Sequence, residues 1–474
     1  MRIHPESTWQ WALAVPPKRL FSKGIINFLM KSALWVLLAA LLIFNVCAPT
    51  FYAYSTVNEE TGEDDFFFGV TLGGNTTSQA RLLIDKVKGY TNLFVINSWD
   101  ITSNETALTE ICDYAVDAEM NIIVFFSFVF YNYTDQEGND LISGPLEKRE
   151  ESLIFYNYTH QSGSIYNSSG WEELGIEPFH MSWLNKARAR WGDKFLGVYL
   201  YDEPGGKQID TGFWDRMAFG RNDVWFAEGN ITAFRSVSDY SEAANVFVRS
   251  LCRSGSMQHV INSSIPDSIN SPLPVFTSDY ALYWFDYLAG YDAVFTELGW
   301  GHSETQHIAL CRGAANVQNK KWGAIITWAD DNPPYLTDEA EMLQQMLTAY
   351  YAGADYLLVF NFPPVNTYGA LTKEHFAAME RFWNQIHAFP RNMFVKMDGE
   401  VAFVLPKDYG WGMRNQDDTI WGYWLPDDLS PLIWENMNKL IKKYSLKLDI
   451  IYDEPQFNFA EKYSKIYFWN STIY

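Results

Sequence analysis

The stretch "GDKFLGVYLYDEPGG", residues 192–206, decides how this chain is read. An apolar, β-prone run over 195–201 ends in Asp202-Glu203-Pro204. A continuous apolar run fits a parallel strand buried on both faces. The two carboxylates at its end either cap a turn in water or project into a site. Working outward, similar runs recur at 66–72, 92–98, 121–130, 275–279, 292–297, 323–329 and 356–362. Helix-like stretches lie between most of them, at 77–89, 104–119, 241–253, 303–318 and 337–352. Several carry an N-cap signal: Thr77, Asn104, Ser241, Ser303 and Thr337. Eight strand runs alternating with helices over ~325 residues match a closed (β/α)8 barrel with insertions. The main insertion is expected at 131–178, rich in Tyr, Asn, Ser and Gly. An open doubly wound sheet competes, but after the first run "TLGGNTT" (71–77) has adjacent glycines rather than G-x-G-x-x-G.

The chain has 474 residues, 48% of them hydrophobic and 19% charged, enough for a large barrel plus additional elements. Net charge is −22, which argues against nucleic acid as a partner, since phosphate binding needs a basic surface. Beyond a helix at 372–387, Pro390 marks a boundary. Residues 391–474 then read as a small α/β domain, with strands at 400–405, 447–452 and 464–469 and a helix at 430–444. The barrel itself is expected over 66–390. The aromatic stretch at 411–425 either folds over the barrel mouth or buries an interface, and the interface is favoured.

The N-terminus bears on location. An uncharged apolar run over 32–54 is long enough to span a bilayer. Arg2, Lys18, Arg19, Lys23 and Lys31 precede it, and an acidic linker at 55–65 follows. The positive-inside rule places residues 1–31 in the cytoplasm and the rest outside the cell. A cleaved signal peptide is the alternative, but its apolar core is usually shorter. Eight N-x-[ST] sequons, at Asn75, Asn104, Asn132, Asn157, Asn167, Asn230, Asn262 and Asn470, all fall in the segment expected outside. The cysteines, Cys47, Cys112, Cys252 and Cys311, show no metal-binding spacing, and no metal or cofactor is implied. A Cys252–Cys311 disulfide is permitted, and buried free thiols are the blander reading.

In such barrels function sits at the C-terminal ends of the strands. Read in order, those ends carry Trp99 and Asp100, then Tyr201, Asp202 and Glu203, then Asp279. Glu297, Trp300 and His302 follow, then Trp328 and Asp330, then Asn361. Strand alternation puts Glu203 on the face of Tyr199 and Tyr201, and Glu297 on that of Ala293 and Phe295. Glu203 and Glu297 are therefore expected inside the mouth, with Asp202 or Asp330 as supporting or alternative acids. Two inward carboxyls, one protonated and one ionised, amid Trp platforms are what glycoside hydrolysis requires. Trp99, Asp100, Tyr201, Asp279, Trp300, His302, Trp328 and Asn361 are the candidates for binding a carbohydrate.

With "YLYDEP" closing the fourth strand, the pattern over about 66–390 resembles the glycosidase superfamily of (β/α)8 barrels. In its largest clan the acid/base Glu ends strand four, and Glu203 matches that place. The resemblance departs twice: Asp202 stands where the clan has Asn, and strand seven offers Asp330 and Asp331 where the clan has a nucleophilic Glu. "YDEP" also recurs at 452–455, where it simply ends a strand. Two readings follow: a membrane-anchored glycosidase acting outside the cell, or a glycosidase-like barrel that binds sugar or builds the cell surface without cleaving.

Overall fold

The computed structural model describes residues 66–126, 153–155, 164–166, 176–212, 237–253, 273–394 and 399–472. The expected span at 32–54 and the sequons at Asn132, Asn157, Asn167, Asn230 and Asn262 lie outside them. Asn75, Asn104 and Asn470 are described and exposed. Among the described residues no helix is long and apolar enough to cross a membrane.

Eight strands form a closed parallel ring: β1 (Phe67–Thr71), β2 (Leu93–Ile96), β3 (Asn121–Phe126), β4 (Phe195–Leu200), β5 (Val275–Asp279), β6 (Ala293–Leu298), β7 (Lys321–Ile326) and β8 (Tyr356–Val359). Each pairs with its sequence neighbours, and β8 closes on β1 through Phe67–Tyr356 to Val70–Val359. The competing open sheet is thereby excluded. Period-two alternation does the sorting. Leu93, Val95, Ile123, Tyr199, Phe276, Ala293, Phe295, Ile325, Tyr356 and Leu358 fill the barrel interior. Their neighbours, such as Val198, Leu200, Val294 and Leu298, face the surrounding helices.

Those helices are α1 (Thr77–Val87), α2 (Glu105–Asp117), α3 (Ile176–Trp191), α4 (Pro204–Thr211), α5 (Tyr240–Arg253), α6 (Tyr283–Ala289), α7 (Glu304–Gln318), α8 (Glu339–Tyr351) and α9 (Lys373–Ala388). Asn104 caps α2 by accepting from the Ala107 N–H, as expected. Two caps sit one residue away from their expected places. Thr76 caps α1 in a capping box with Gln79, and Asp338 caps α8. In both pairs two adjacent residues have capping side chains, and the backbone decides between them.

The C-terminal elements form a parallel three-stranded sheet, β9 (Val401–Leu405) flanked by β10 (Leu448–Tyr452) and β11 (Lys465–Phe468), with α10 (Ser430–Tyr444) as the crossover. This sheet belongs to the same compact unit as the barrel. It docks through α7. Gly313 allows the close approach, because a Cβ there would come within 2.6 Å of the Ile450 carbonyl oxygen. Arg312 of α7 is buried against Asp449 of β10 at 2.7 Å, and Asn316 and Tyr463 also donate to that carboxylate. Removing one partner of a buried ion pair leaves the other uncompensated. Asp449→Ala is therefore expected to lower stability by about 3–5 kcal/mol in denaturant unfolding, and an unchanged midpoint would contradict this account of docking.

The stretch at 411–425 is interface. Trp411, Met413, Ile420 and Trp421 are buried, and Gln208 of α4 donates to the Trp421 carbonyl at 2.9 Å. Cys112 and Cys311 are buried free thiols and Cys252 is a partly buried one, so the permitted Cys252–Cys311 disulfide is not formed.

Candidate active site

The end of β4 does not simply continue its alternation. Tyr201 and Glu203 both take left-handed backbone conformations, φ 55° and 53°, which non-glycine residues rarely adopt. Three bonds hold this kink. Thr277 and Tyr291 donate to the Tyr201 and Leu200 carbonyls, and the Glu203 N–H donates to the Ser278 carbonyl at 3.1 Å. The kink corrects the expected placement of Tyr201, which packs into the buried layer between strands and helices. It also brings Asp202 and Glu203 together around one cation. Lys207, a turn further along in α4, lies 3.6 Å from both carboxylates and donates to the Asp202 carbonyl.

Glu297, near the end of β6, is inward-facing and only 4% exposed. Its hydrogen bond among the described residues comes from the Ser278 hydroxyl, at 2.7 Å. Ser278 is the inward residue at the end of β5. Burial raises the Glu297 carboxyl well above the ordinary range, with the negative charges of Glu203 and Asp202 adding to the effect. The Glu203 side chain is 27% exposed. Its carboxyl is pushed up to about 7, first by burial and then by Asp202, against the pull of Lys207. A carboxyl titrating near neutrality can both hold and give up a proton at working pH. Two acids 94 residues apart in sequence are thus close enough for the charge of Glu203 to raise the proton affinity of Glu297.

An aromatic wall stands on the β6–β8 side. Trp300 is 39% exposed and meets Trp328 edge to face at 5.8 Å. Trp328 stacks on Phe362, which is 38% exposed, and donates its indole N–H to the Phe362 carbonyl at 2.6 Å. Tyr335 and Phe360 back it.

Other candidates have different roles. Asp279 faces outward from β5, fully buried, and accepts from the backbone N–H groups of Gly205, Gly206, Tyr280 and Ala281. It fixes the start of α4 behind Glu203 and is not open to a sugar. Asn361 is likewise fully buried. It bonds the Tyr368 carbonyl and the Ala370 and Leu371 N–H groups, spending its amide on the loop after β8. Asp330 is exposed and folded back onto Asn332 in a turn, so strand seven supplies no inward acid. Asp100 is exposed, and Trp99 is half-buried against the core in the turn Trp99–Thr102. His302 stacks on His307 at 5.0 Å, and burial, then Arg414, hold its pKa below the usual value. It belongs to a cluster with Tyr280 and Arg414, whose guanidinium is paired with Asp210 and Asp418.

Sequence reasoning missed Tyr199, Ser278 and Lys207 as site residues. Alternation alone carried the signal for two of them: with Phe276 inward, Ser278 rather than Asp279 must face the mouth. Lys207 is four residues from Glu203, one helical turn, but nothing in the sequence showed that α4 begins at Pro204.

No family model matches the chain, and no curated protein matches it. Solved structures do. The enzyme GH5_18 from Streptomyces cattleya, in complex with GlcNAc, is 11% identical, with 85% of this chain and 98% of that chain covered at a TM-score of 0.46. The chain is a (β/α)8 barrel, and glycoside hydrolases are among the structures it is similar to. Alpha-L-fucosidase isoenzyme 2 from Paenibacillus thiaminolyticus is 11% identical, covering 85% of this chain and 59% of that one at 0.46. A 3-deoxy-D-arabino-heptulosonate 7-phosphate synthase from Thermotoga maritima also matches, 8% identical over 73% and 96% of the two chains at 0.33. At these identities the likeness is one of fold, and chemistry has to be argued from the site. Among the described residues no group of His, Cys, Asp and Glu is arranged to hold a metal ion.

Proposed function

We propose that this chain is a cell-surface glycoside hydrolase-like protein that cleaves external glycans by carboxylate chemistry. One N-terminal span, residues 32–54, would hold it in the membrane with residues 1–31 inside and the barrel outside. The apolar run, its flanking charges and the sequons support that location. The observation that carries the chemistry is the pairing of Glu203 with Glu297 at one barrel mouth, where both carboxyls are raised, Glu297 by burial and then by the charge of Glu203, and Glu203 by burial and then by Asp202. Glu203 is the general acid. It delivers its proton to the glycosidic oxygen as the bond breaks, and at about 7 it is still loaded near neutrality. Glu297, once ionised, stabilises or attacks the anomeric carbon from the other side. Trp300, Trp328 and Phe362 offer apolar faces to the sugar rings.

A panel of aryl glycosides tests this, with Glu203→Gln run alongside. Hydrolysis that Glu203→Gln leaves unaltered would remove Glu203 from the mechanism. Because the acid form is the active one, kcat is expected to fall tenfold per pH unit well above about 7. A profile flat to pH 9 would contradict that role. Trp300→Ala is expected to raise KM roughly 2–10-fold with little change in kcat, as loss of a stacking face should. A KM within error of the parent would place the sugar elsewhere.

A second reading, a barrel that binds sugar without cleaving it, is favoured by the exposed, turn-bound Asp330 and the missing acid at strand seven. Glycan-array binding with no turnover on any glycoside would support it.

A further inference from the structure

The carboxyl of Asp202 and that of Glu297 are joined by an unbroken line of hydrogen bonds through two hydroxyls. Asp202 Oδ1 lies 3.1 Å from the Tyr199 hydroxyl, which lies 2.7 Å from Ser278 Oγ, which lies 2.7 Å from Glu297 Oε1. The Ser278 N–H donates to the Tyr199 oxygen at 2.9 Å and fixes its position. This line has three links, and the two hydroxyls bring two protons. With both carboxyls ionised, one link has no proton. With one carboxyl protonated, all three are filled.

The single extra proton has two arrangements. On Glu297, it is donated to Ser278, Ser278 donates to Tyr199, and Tyr199 donates to ionised Asp202. On Asp202, every link reverses, and Ser278 donates to ionised Glu297. The arrangements differ by the shift of one proton along each link, with no proton gained or lost. We propose that Tyr199 and Ser278 are positioning residues that relay one proton between Asp202 and Glu297. The buried Glu297 thereby becomes ionised by passing its proton to the more exposed Asp202.

Burial makes an ionised Glu297 costly. Asp202 is 37% exposed on its side chain and lies beside Lys207, so a proton delivered to it can exchange with solvent. Glu203 and Asp279 are the other charged groups acting on Glu297, and Lys207 and Glu203 are those beside Asp202. The line leaves Glu203 free, so the acid role and the relay use different protons. Its use in turnover rests on the hydrolase reading; the shared proton itself does not.

The test follows the protonated-carboxyl stretch of the full-length protein by infrared pH titration, with bands assigned through Asp202→Asn and Glu297→Gln. A shared proton stabilises the singly protonated pair and so spreads its two macroscopic steps apart. Tyr199→Phe keeps the ring packing against Phe125 and Phe295 and removes only the hydroxyl. It is expected to bring the two steps closer by at least about one pH unit. Ser278→Ala should do the same, and Ser278→Thr, which keeps a hydroxyl, should restore the separation. If charge repulsion alone couples the two acids, Tyr199→Phe leaves the steps where they were, and the relay is overturned. A kinetic arm is separate. In an active enzyme Tyr199→Phe should lower kcat about tenfold with KM within about twofold. Unchanged kcat with narrowed steps removes the relay from turnover. Absence of any hydrolysis in the parent protein fails the hydrolase reading and leaves the titration result standing.

Discussion

Glu203→Gln is expected to lower kcat/KM by about 10²–10⁴-fold on glycosides with poor leaving groups, and far less on those whose leaving group departs without a proton. The reason is local. A general acid matters in proportion to how badly the departing oxygen needs protonating, and Gln cannot supply that proton. The same substitution is expected to stabilise the fold. Glu203 has a folded-state value of about 7 against an ordinary 4.5. A carboxyl raised in this way gives its full stability below about 4.5 and loses it as the pH rises through about 7. Gln cannot ionise and does not incur that loss. Glu203→Gln should therefore match the parent at pH 4 and exceed it by about 2–3 kcal/mol at pH 8. Thermal unfolding at the two pH values measures the difference. Activity lost with stability gained marks a residue kept for chemistry. Loss of both would mean that Glu203 holds the kinked end of β4 together.

Glu297→Gln is the second large effect. Its loss is expected to be at least ~10³-fold and to be the same for good and poor leaving groups, because the residue acts on the sugar and not on the departing oxygen. Leaving-group dependence thus separates the two acids. The Gln variant still accepts the Ser278 hydroxyl bond and removes a buried carboxyl, so folding should be unharmed. Equal sensitivity of both variants to the leaving group would mean that the roles are not divided as described.

The barrel was legible because its strands are apolar runs whose alternation fills the interior, and periodicity reports burial directly. The C-terminal sheet was legible for the same reason. Glu203 and Glu297 could be picked out because each ends a strand on an expected inward face. Asp279 and Asn361 were drawn in only because they stand at strand ends, but their side chains are used by backbone N–H groups, which sequence does not display. Tyr201 was misplaced because left-handed conformations at Tyr201 and Glu203, either side of Asp202, break the alternation, and nothing in "YLYDEP" signals them. Lys207 depends on where α4 begins. The line through Tyr199 and Ser278 depends on the register of β4 against β5, which becomes visible only when the ring is closed.

The most direct measurement is an experimental structure of the barrel with a cationic sugar mimic bound. The account predicts the mimic's charged centre between Glu203 and Glu297, its ring against Trp300 or Trp328, and the two carboxyl groups about 5–9.5 Å apart. A mimic seated elsewhere, with Glu203 turned to solvent or the carboxyls well beyond about 10 Å, would contradict it.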